Sequence, residues 1–398
     1  MKLLLKNGIL VTPYRKIAQG DVLISNGIIE YIGESKTTHD TLADKIIDAT
    51  GKYISPGFID IHVHGGGGHE VMSCDSNEIV QMCSAHSIYG TTSIVPTTLA
   101  TPIPQLKAAI DAVREAKRKC KNCNILGIHL EGPFLSPNQA GAQEPGSLIE
   151  PAINTVNDLL NYWDGIRIVG AAPELHGGFE LGSELKKRGI AASIAHSDAT
   201  YEQVLTAIEY GYHDVTHIYS GCSFLHRDGP FRVAGVVEAG LYSDDLTTQV
   251  IADGKHLPSS LLKLIYKCKG ADKIILITDG LAQSAGGGHE GDVFIQKNGV
   301  KTILENGVMK LMDRKAFAGS IATMSQAIRT MISLADVPLI EAVQMATINP
   351  AKLVGADSKG ILSPGKDADI VIFNDDIEIE YTITGGKIVY DKNFNRKG

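Results

Sequence analysis

No run of about eighteen apolar residues occurs in the 398-residue chain, so it offers neither a membrane span nor a long signal core. The opening MKLLLKNGIL is apolar but is broken by Lys6, Asn7 and Gly8. No stripe of lysine and arginine is present and the formal net charge is −8, which argues against a phosphate-backbone surface and against nucleic acid as a partner. The six cysteines, at 74, 83, 120, 123, 222 and 268, lack the spacing of an extracellular disulfide framework, and a chain of this length needs no such staples. These absences point to a reduced, cytoplasmic protein. Cys120 and Cys123 form a lone CxxC without the second pair a zinc ribbon requires, and an exposed helix end is the expectation there. Repeats of solenoid period and low-complexity segments are also missing.

What is present is apolar residue in quantity, 43%, over a length that suits one large domain with a smaller accessory one. Eight β-branched runs each lead into polar residues: FIDIHVH (58–64), SIVPTT (93–98), ILGIHLEG (125–132), IRIVGAAPE (166–174), IAASIAHS (190–197), DVTHIYS (214–220), TQVIADG (248–254) and IILITDG (274–280). Amphipathic stretches lie between them, with apolar stripes such as Leu106, Ala109, Ile110 and Val113, then Val204, Leu205 and Ile208, then Leu261, Leu262, Leu264 and Ile265. This alternation predicts an α/β fold, a (β/α)8 TIM-type barrel over 56–360. Short alternating strands at 2–11, 21–33 and 46–54 return as DADIVIFN, EIEYTITG and KIVYD after Ser363-Pro364-Gly365. The two β-rich ends, 1–55 and 361–398, are expected to join in one small β-sandwich.

Active sites of such barrels stand at the C-terminal ends of the strands, and there this chain carries His62, His64, Glu131, His196, His217 and Asp279. His62 and His64, two apart on a strand, share a face. Each of these residues alone has an ordinary structural reading, in the core, as a helix cap or as a satisfied acid. Together they form a histidine and carboxylate set with open positions, as catalytic zinc sites require. Asp279 can also take a proton from water and return it to a leaving group, so it is both a candidate ligand and the candidate general base. His129 is expected deeper in the lumen, and Ser197 or Asp198 as a cap for the following helix. The donor types suit one or two divalent ions, zinc first, with iron, manganese or cobalt as alternatives.

These pieces, PGFIDIHVHG, LGIHLEGPFLSP with GAQ, AAPE, IAHSDAT, THIYS, IADGKH, ITDG, AGS, NPAKLVG and KGILSPGKDADIV, run in order along nearly the whole chain. They resemble the amidohydrolase superfamily, and within it the N-acetylglucosamine-6-phosphate deacetylases. The resemblance implies hydrolysis of the acetamide of a small amino-sugar phosphate. It makes Glu131, His196 and His217 the ligands of a principal metal, His62 and His64 a second position, and Asp279 the catalytic acid–base. It further implies that Gln143 polarises the acetyl carbonyl, that His256 and Arg227 contact the sugar phosphate, the arginine in its own or in a neighbouring subunit's site, and that the protein is a homodimer. Two features depart from the family: Ser220-Gly221 stands where an Asn-Ala pair holds the substrate, and the loop to Arg227 is one residue shorter. A hydantoinase-like site would need a lysine in the fourth strand, and IRIVGAAPE has none. An adenosine-deaminase-like site fits the HLEGP and AHSDAT contexts less well. A metal-free scaffold barrel is the reading from a different class, and six retained candidates at strand ends argue against it.

Overall fold

The computed structural model describes residues 2–395. Each of the eight runs forms a strand, and each strand leads into a helix. The strands are Phe58–Val63, Thr91–Pro96, Ile128–Glu131, Ile166–Ala171, Ala191–Ile194, Tyr212–Val215, Thr247–Ile251 and Ile274–Ile277. The last six form one parallel sheet in chain order, and the first two pair in parallel beside it. Two seams close the ring. At one, the Thr98 N–H donates to the His129 carbonyl at 3.0 Å; at the other, the Asp279 N–H donates to the His62 carbonyl at 2.9 Å. Strands covered by helices on one side and by lumen packing on the other bury every residue, as Ile128–Glu131 and Ile274–Ile277 do.

The apolar stripes face the barrel, but more narrowly than the sequence suggests. Leu106, Ala109, Ile110 and Val113 are buried on the helix Ile103–Lys119. Leu205 and Leu264 are exposed while their neighbours Val204, Leu262 and Ile265 are buried, because a 3.6-residue period turns adjacent positions by 100°. Away from the site, Ile59, Ile168, Ile251, Ile275 and Ile277 pack with Ala351 and Val354, the latter two from and just after the helix Ile348–Leu353. Cys123 is buried and Cys120 half-buried at the end of the helix Ile103–Lys119, so the CxxC is tucked into the core rather than exposed.

Both chain ends meet in one eight-stranded sheet. Lys2–Val11 pairs antiparallel with Lys16–Ser25 and parallel with Lys45–Asp48 and Tyr53–Pro56. Tyr53–Pro56 then pairs with Ile370–Phe373, which leads to Ile379–Thr384 and Lys387–Asp391. The expected sandwich is this single sheet folded over: Ile28, at the start of Ile28–Glu34, bridges Asp367 although three strands lie between them along the sheet. Leu3, Leu5, Val22, Ile24, Ile370 and Ile372 fill its interior. Asn26 and Gly27, with φ of 51° and 83°, make the tight reversal between Lys16–Ser25 and Ile28–Glu34.

Two excursions leave the barrel on the side of the strand ends. An exposed hairpin, His226–Asp228 with Phe231–Val233, follows the sixth strand. A three-stranded antiparallel sheet, Val293–Ile295, Lys301–Glu305 and Val308–Leu311, separates the eighth strand from its helix Met324–Ala335. No helix among the described residues is long and apolar enough to cross a membrane.

Candidate active site

The backbone turns sharply where the candidate residues begin. His196, His217 and Asp279, each just past a strand end, have φ of 44°, 26° and 49°, in the left-handed region that L-residues seldom occupy. Gly132, with φ 83°, follows Glu131. The His196 turn is held from outside by Glu174, which accepts from Ser197 Oγ at 2.7 Å and from the Asp198 N–H at 2.6 Å. Ser197 and Asp198 are therefore engaged here. The cap of the next helix is Thr200 instead, in a reciprocal pair with Gln203. Gly221 packs against the His196 ring, where a Cβ would stand 2.6 Å from Nδ1. That contact leaves no room for a side chain at 221.

Six residues converge. His217 Nε2 lies 2.9 Å and His196 Nε2 3.2 Å from Glu131 Oε1, and His64 Nε2 lies 3.4 Å from Glu131 Oε2 and 3.1 Å from Asp279 Oδ1. His62 Nε2 stands 3.5 Å from both carboxylates and 3.3 Å from His64 Nε2. Two sets of donor atoms, His62–Glu131–His217 and His62–His64–Asp279, each fall within 4.8 Å. His196 joins them through Glu131.

The outer nitrogens explain why the inner ones face one another. His62 Nδ1 donates to Gln249 Oε1 at 3.2 Å, His64 Nδ1 to the Thr97 carbonyl at 3.2 Å, His196 Nδ1 to the Gln139 carbonyl at 2.7 Å and His217 Nδ1 to the Ser220 carbonyl at 2.9 Å. A proton fixed at Nδ1 leaves the Nε2 lone pair of each neutral ring pointing inward, as in metal-ligating histidines. Four lone pairs and two carboxylates in one buried space suit divalent cations. Without a cation, the two carboxylates draw a proton onto His64 instead, a positive charge that a bound divalent cation would replace. Burial disfavours an imidazolium at His64, yet Asp279 and Glu131 outweigh it and push its pKa up to about 10. Burial likewise opposes ionisation of the two acids, but the adjoining imidazoles bring Asp279 down to about 2 and Glu131 well below the usual range.

A cavity of about 330 Å³ opens above the cluster. Gln143 lies on its wall, donating from Nε2 to Glu131 Oε2 at 2.7 Å while Oε1 accepts from the Ala100 N–H at 2.8 Å. Ser220, Gly221 and His256 also line it. His256 Nδ1 is held by Asp253 at 2.7 Å, so Nε2 is the ring atom available to a ligand. Arg227 is the one expected contact that the chain does not bring to its own cavity; it stands exposed on the hairpin. His129 is buried beside the His62 ring, at 4.7 Å between centroids, and its Nε2 has no partner among the described residues. Sequence reasoning passed over Gln249, which sits inside an ordinary strand run, and Gln296 and Phe317, on or near the inserted sheet, which line the cavity. Nothing in their local patterns marks them.

A model of the amidohydrolase family matches residues 53–389. The chain is 33% identical to the N-acetylglucosamine-6-phosphate deacetylase of Bacillus subtilis, over 98% of this chain and 97% of that protein. It is 30% identical to an N-acetylgalactosamine-6-phosphate deacetylase of Escherichia coli O157:H7, over 92% of this chain and 93% of that one. Among solved structures, a mutant N-acetyl-D-glucosamine-6-phosphate deacetylase of Mycobacterium smegmatis, in complex with N-acetyl-D-glucosamine-6-phosphate, superposes with a TM-score of 0.89 at 27% identity, covering 98% of this chain and 99% of that one. With a family match over most of its length and relatives aligned nearly end to end, the chain belongs to the amidohydrolase family, in the branch of the N-acetylglucosamine-6-phosphate deacetylases.

Proposed function

We propose that this enzyme hydrolyses the acetamide of N-acetyl-D-glucosamine 6-phosphate to glucosamine 6-phosphate and acetate, a step of amino-sugar breakdown. The observation that carries the reading is the convergence of four Nδ1-anchored imidazoles and two carboxylates beneath a cavity bordered by Gln143 and His256. Glu131, His196 and His217 hold the principal cation, zinc in our reading, and His62 and His64 a second position that Asp279 borders. A divalent cation there supplies Lewis acidity toward the amide carbonyl and acidifies water.

The chain's own groups do the rest. Asp279 accepts the proton of the attacking water and delivers it to the departing nitrogen. Gln143 spends one N–H on Glu131 and has a second, in a fixed direction, for the acetyl oxygen. Ser220 and Gly221 border the sugar, and His256 Nε2 faces its phosphate side. Arg227 serves the site of a second copy. Phe224, Leu225 and Phe231 on the same excursion, and nearby Tyr242, expose between 52% and 78% of their surface, an apolar face consistent with a homodimer. We place the enzyme in the cytoplasm, in keeping with six free cysteines.

N-acetyl-D-galactosamine 6-phosphate is the second reading, favoured by the relative from Escherichia coli O157:H7. Amine release from both N-acetyl hexosamines, phosphorylated and unphosphorylated, tests the proposal. The expected order puts the glucosamine phosphate first. Equal kcat/KM with and without phosphate removes the phosphate from the substrate, and no release from any of them removes the function.

A further inference from the structure

Three of the six cysteines meet away from the barrel mouth. Cys83, on the helix Ser76–Ser87, is in hydrogen-bond contact with the thiols of both Cys120 and Cys123, which follow the helix Ile103–Lys119. Cys83 and Cys123 are buried and Cys120 is half-buried, so one member of the cluster reaches solvent. The cluster stands at a seam. Asn122 Nδ2 donates to Ser84 Oγ at 3.1 Å, and Thr384 Oγ1, from the terminal sheet, donates to the Asn122 carbonyl at 3.1 Å. Thr382 Oγ1 donates to the Ser87 carbonyl at 2.8 Å, and Asn124 Nδ2 to Asp369 Oδ2 at 3.0 Å. Two barrel helices and the sheet that joins the chain ends are tied together within a few residues of the three sulfurs.

Thiols in contact can hold a soft cation or form a disulfide. The spacing favours the second. Among the described residues, groups of three donor atoms within 4.8 Å of one another occur at the barrel mouth, and none includes a sulfur. A disulfide needs two sulfurs, and buried Cys83 already touches a reachable partner in Cys120. We propose that Cys83 and Cys120 form a reversible disulfide that locks the two helices to each other at the seam, with Cys123 remaining a thiol and a small-molecule disulfide as the oxidant. The Cys120 sulfur attacks one sulfur of the oxidant, the oxidant's S–S bond breaks, and the first small thiol leaves with the Cys120 proton. The Cys83 sulfur then attacks the Cys120 sulfur and expels the second small thiol, which takes the Cys83 proton. The protein gives up two electrons and two protons, and the oxidant becomes two thiols. Contact with Cys83, and then burial, holds the Cys120 thiol above its ordinary pKa, so the exchange is slow at neutral pH and quickens as pH rises. The lock stays open among reduced thiols and closes when the surrounding poise turns oxidising.

The test treats the full chain with dipyridyl disulfide at mildly alkaline pH and maps its peptides by mass without reduction. A peptide pair linked through Cys83 and Cys120 is expected in the parent and in Cys123→Ser. Exposed Cys268 should carry a single small thiol instead, which the mass distinguishes. No linked pair in the parent, or linkage through any other two cysteines, overturns the proposal. The denaturant midpoint of the oxidised parent should rise above that of the reduced parent, because the cross-link joins positions far apart in sequence and restricts the unfolded chain. Cys120→Ser treated in the same way should show no rise. A linked parent with an unshifted or lowered midpoint overturns the lock, and an equal rise in Cys120→Ser shows that the stabilisation comes from another thiol and overturns it too.

Discussion

Gln249 accepts from His62 Nδ1 at 3.2 Å and donates from Nε2 to Asp214 Oδ2 at 2.6 Å, so the orientation of one amide decides which nitrogen of His62 faces the cluster. Asp214 is held in turn by Ser193 Oγ and Thr247 Oγ1, each at 2.6 Å. Both Asp214 and Gln249 are fully buried, and burial raises the pKa of the Asp214 carboxyl. The amide cannot turn over without presenting its NH2 to an imidazole that already carries a proton there.

Replacing Gln249 with leucine keeps the volume and removes the anchor. Gln249→Leu should weaken divalent-cation binding by about 10- to 100-fold, the usual consequence of losing an outer partner of a ligating histidine. Competition against a chelator of known affinity measures it. Parent-like affinity in the variant would contradict the role given to this pair.

Asp279→Asn preserves the shape of the side chain and removes its basicity. Turnover should fall by several orders of magnitude with fold and cation content retained. Activity above about a tenth of the parent's would show that another group moves the proton.

Arg227→Ala should raise KM for the phosphorylated sugar far more than it raises KM for the unphosphorylated one, because a planar guanidinium matches phosphate oxygens with paired N–H donors. If the arginine acts across a dimer, mixing this variant with Asp279→Asn rebuilds one complete site in every mixed pair. About a quarter of the parental sites should then return. Mixtures no more active than the separate variants would place Arg227 outside the partner's site.

Asp21 carries a pH dependence into the terminal sheet. It accepts from the backbone N–H groups of Lys36 at 3.0 Å and Asn7 at 3.2 Å and faces His39 Nδ1 at 3.0 Å. Burial alone would push its carboxyl up, but these partners and Ser35 hold it below its ordinary value. A lowered folded pKa adds stability above the ordinary carboxylate range, about pH 4, and that stability is lost as pH falls through the folded value. Asp21→Asn should therefore destabilise the protein near pH 7 and lose less on acidification. Denaturant midpoints near pH 7 and at about pH 3 report this, and parallel losses in parent and variant would rule it out.

The barrel was legible because each strand is a β-branched run ending in polar residues, and the six residues that converge were legible because HxH, HLEG, AHS, THI and TDG sit at those ends. The terminal sheet announced itself through the matching textures of both ends. The remainder depends on contacts far apart in sequence. Gln249 and Asp214 belong to strands that look like any buried strand, and their pairing with His62 exists only once the ring is closed. Thr200, rather than Ser197 or Asp198, caps its helix because Glu174 engages the two nearer residues. The sheet around Gln296 is made of segments too short for periodicity to register, and the burial of Cys123 depends on what packs over the helix end.

The left-handed backbone at His196, His217 and Asp279 sets durability against turnover at the same three positions. Each such conformation costs about 1–3 kcal/mol in a residue with a side chain. Glycine at any of them would relieve that cost while deleting a group that the proposed chemistry uses. Selection for heat resistance alone would thus erode the centre first, and a stabilised variant of this enzyme should draw its gains from the outer helices and the folded terminal sheet.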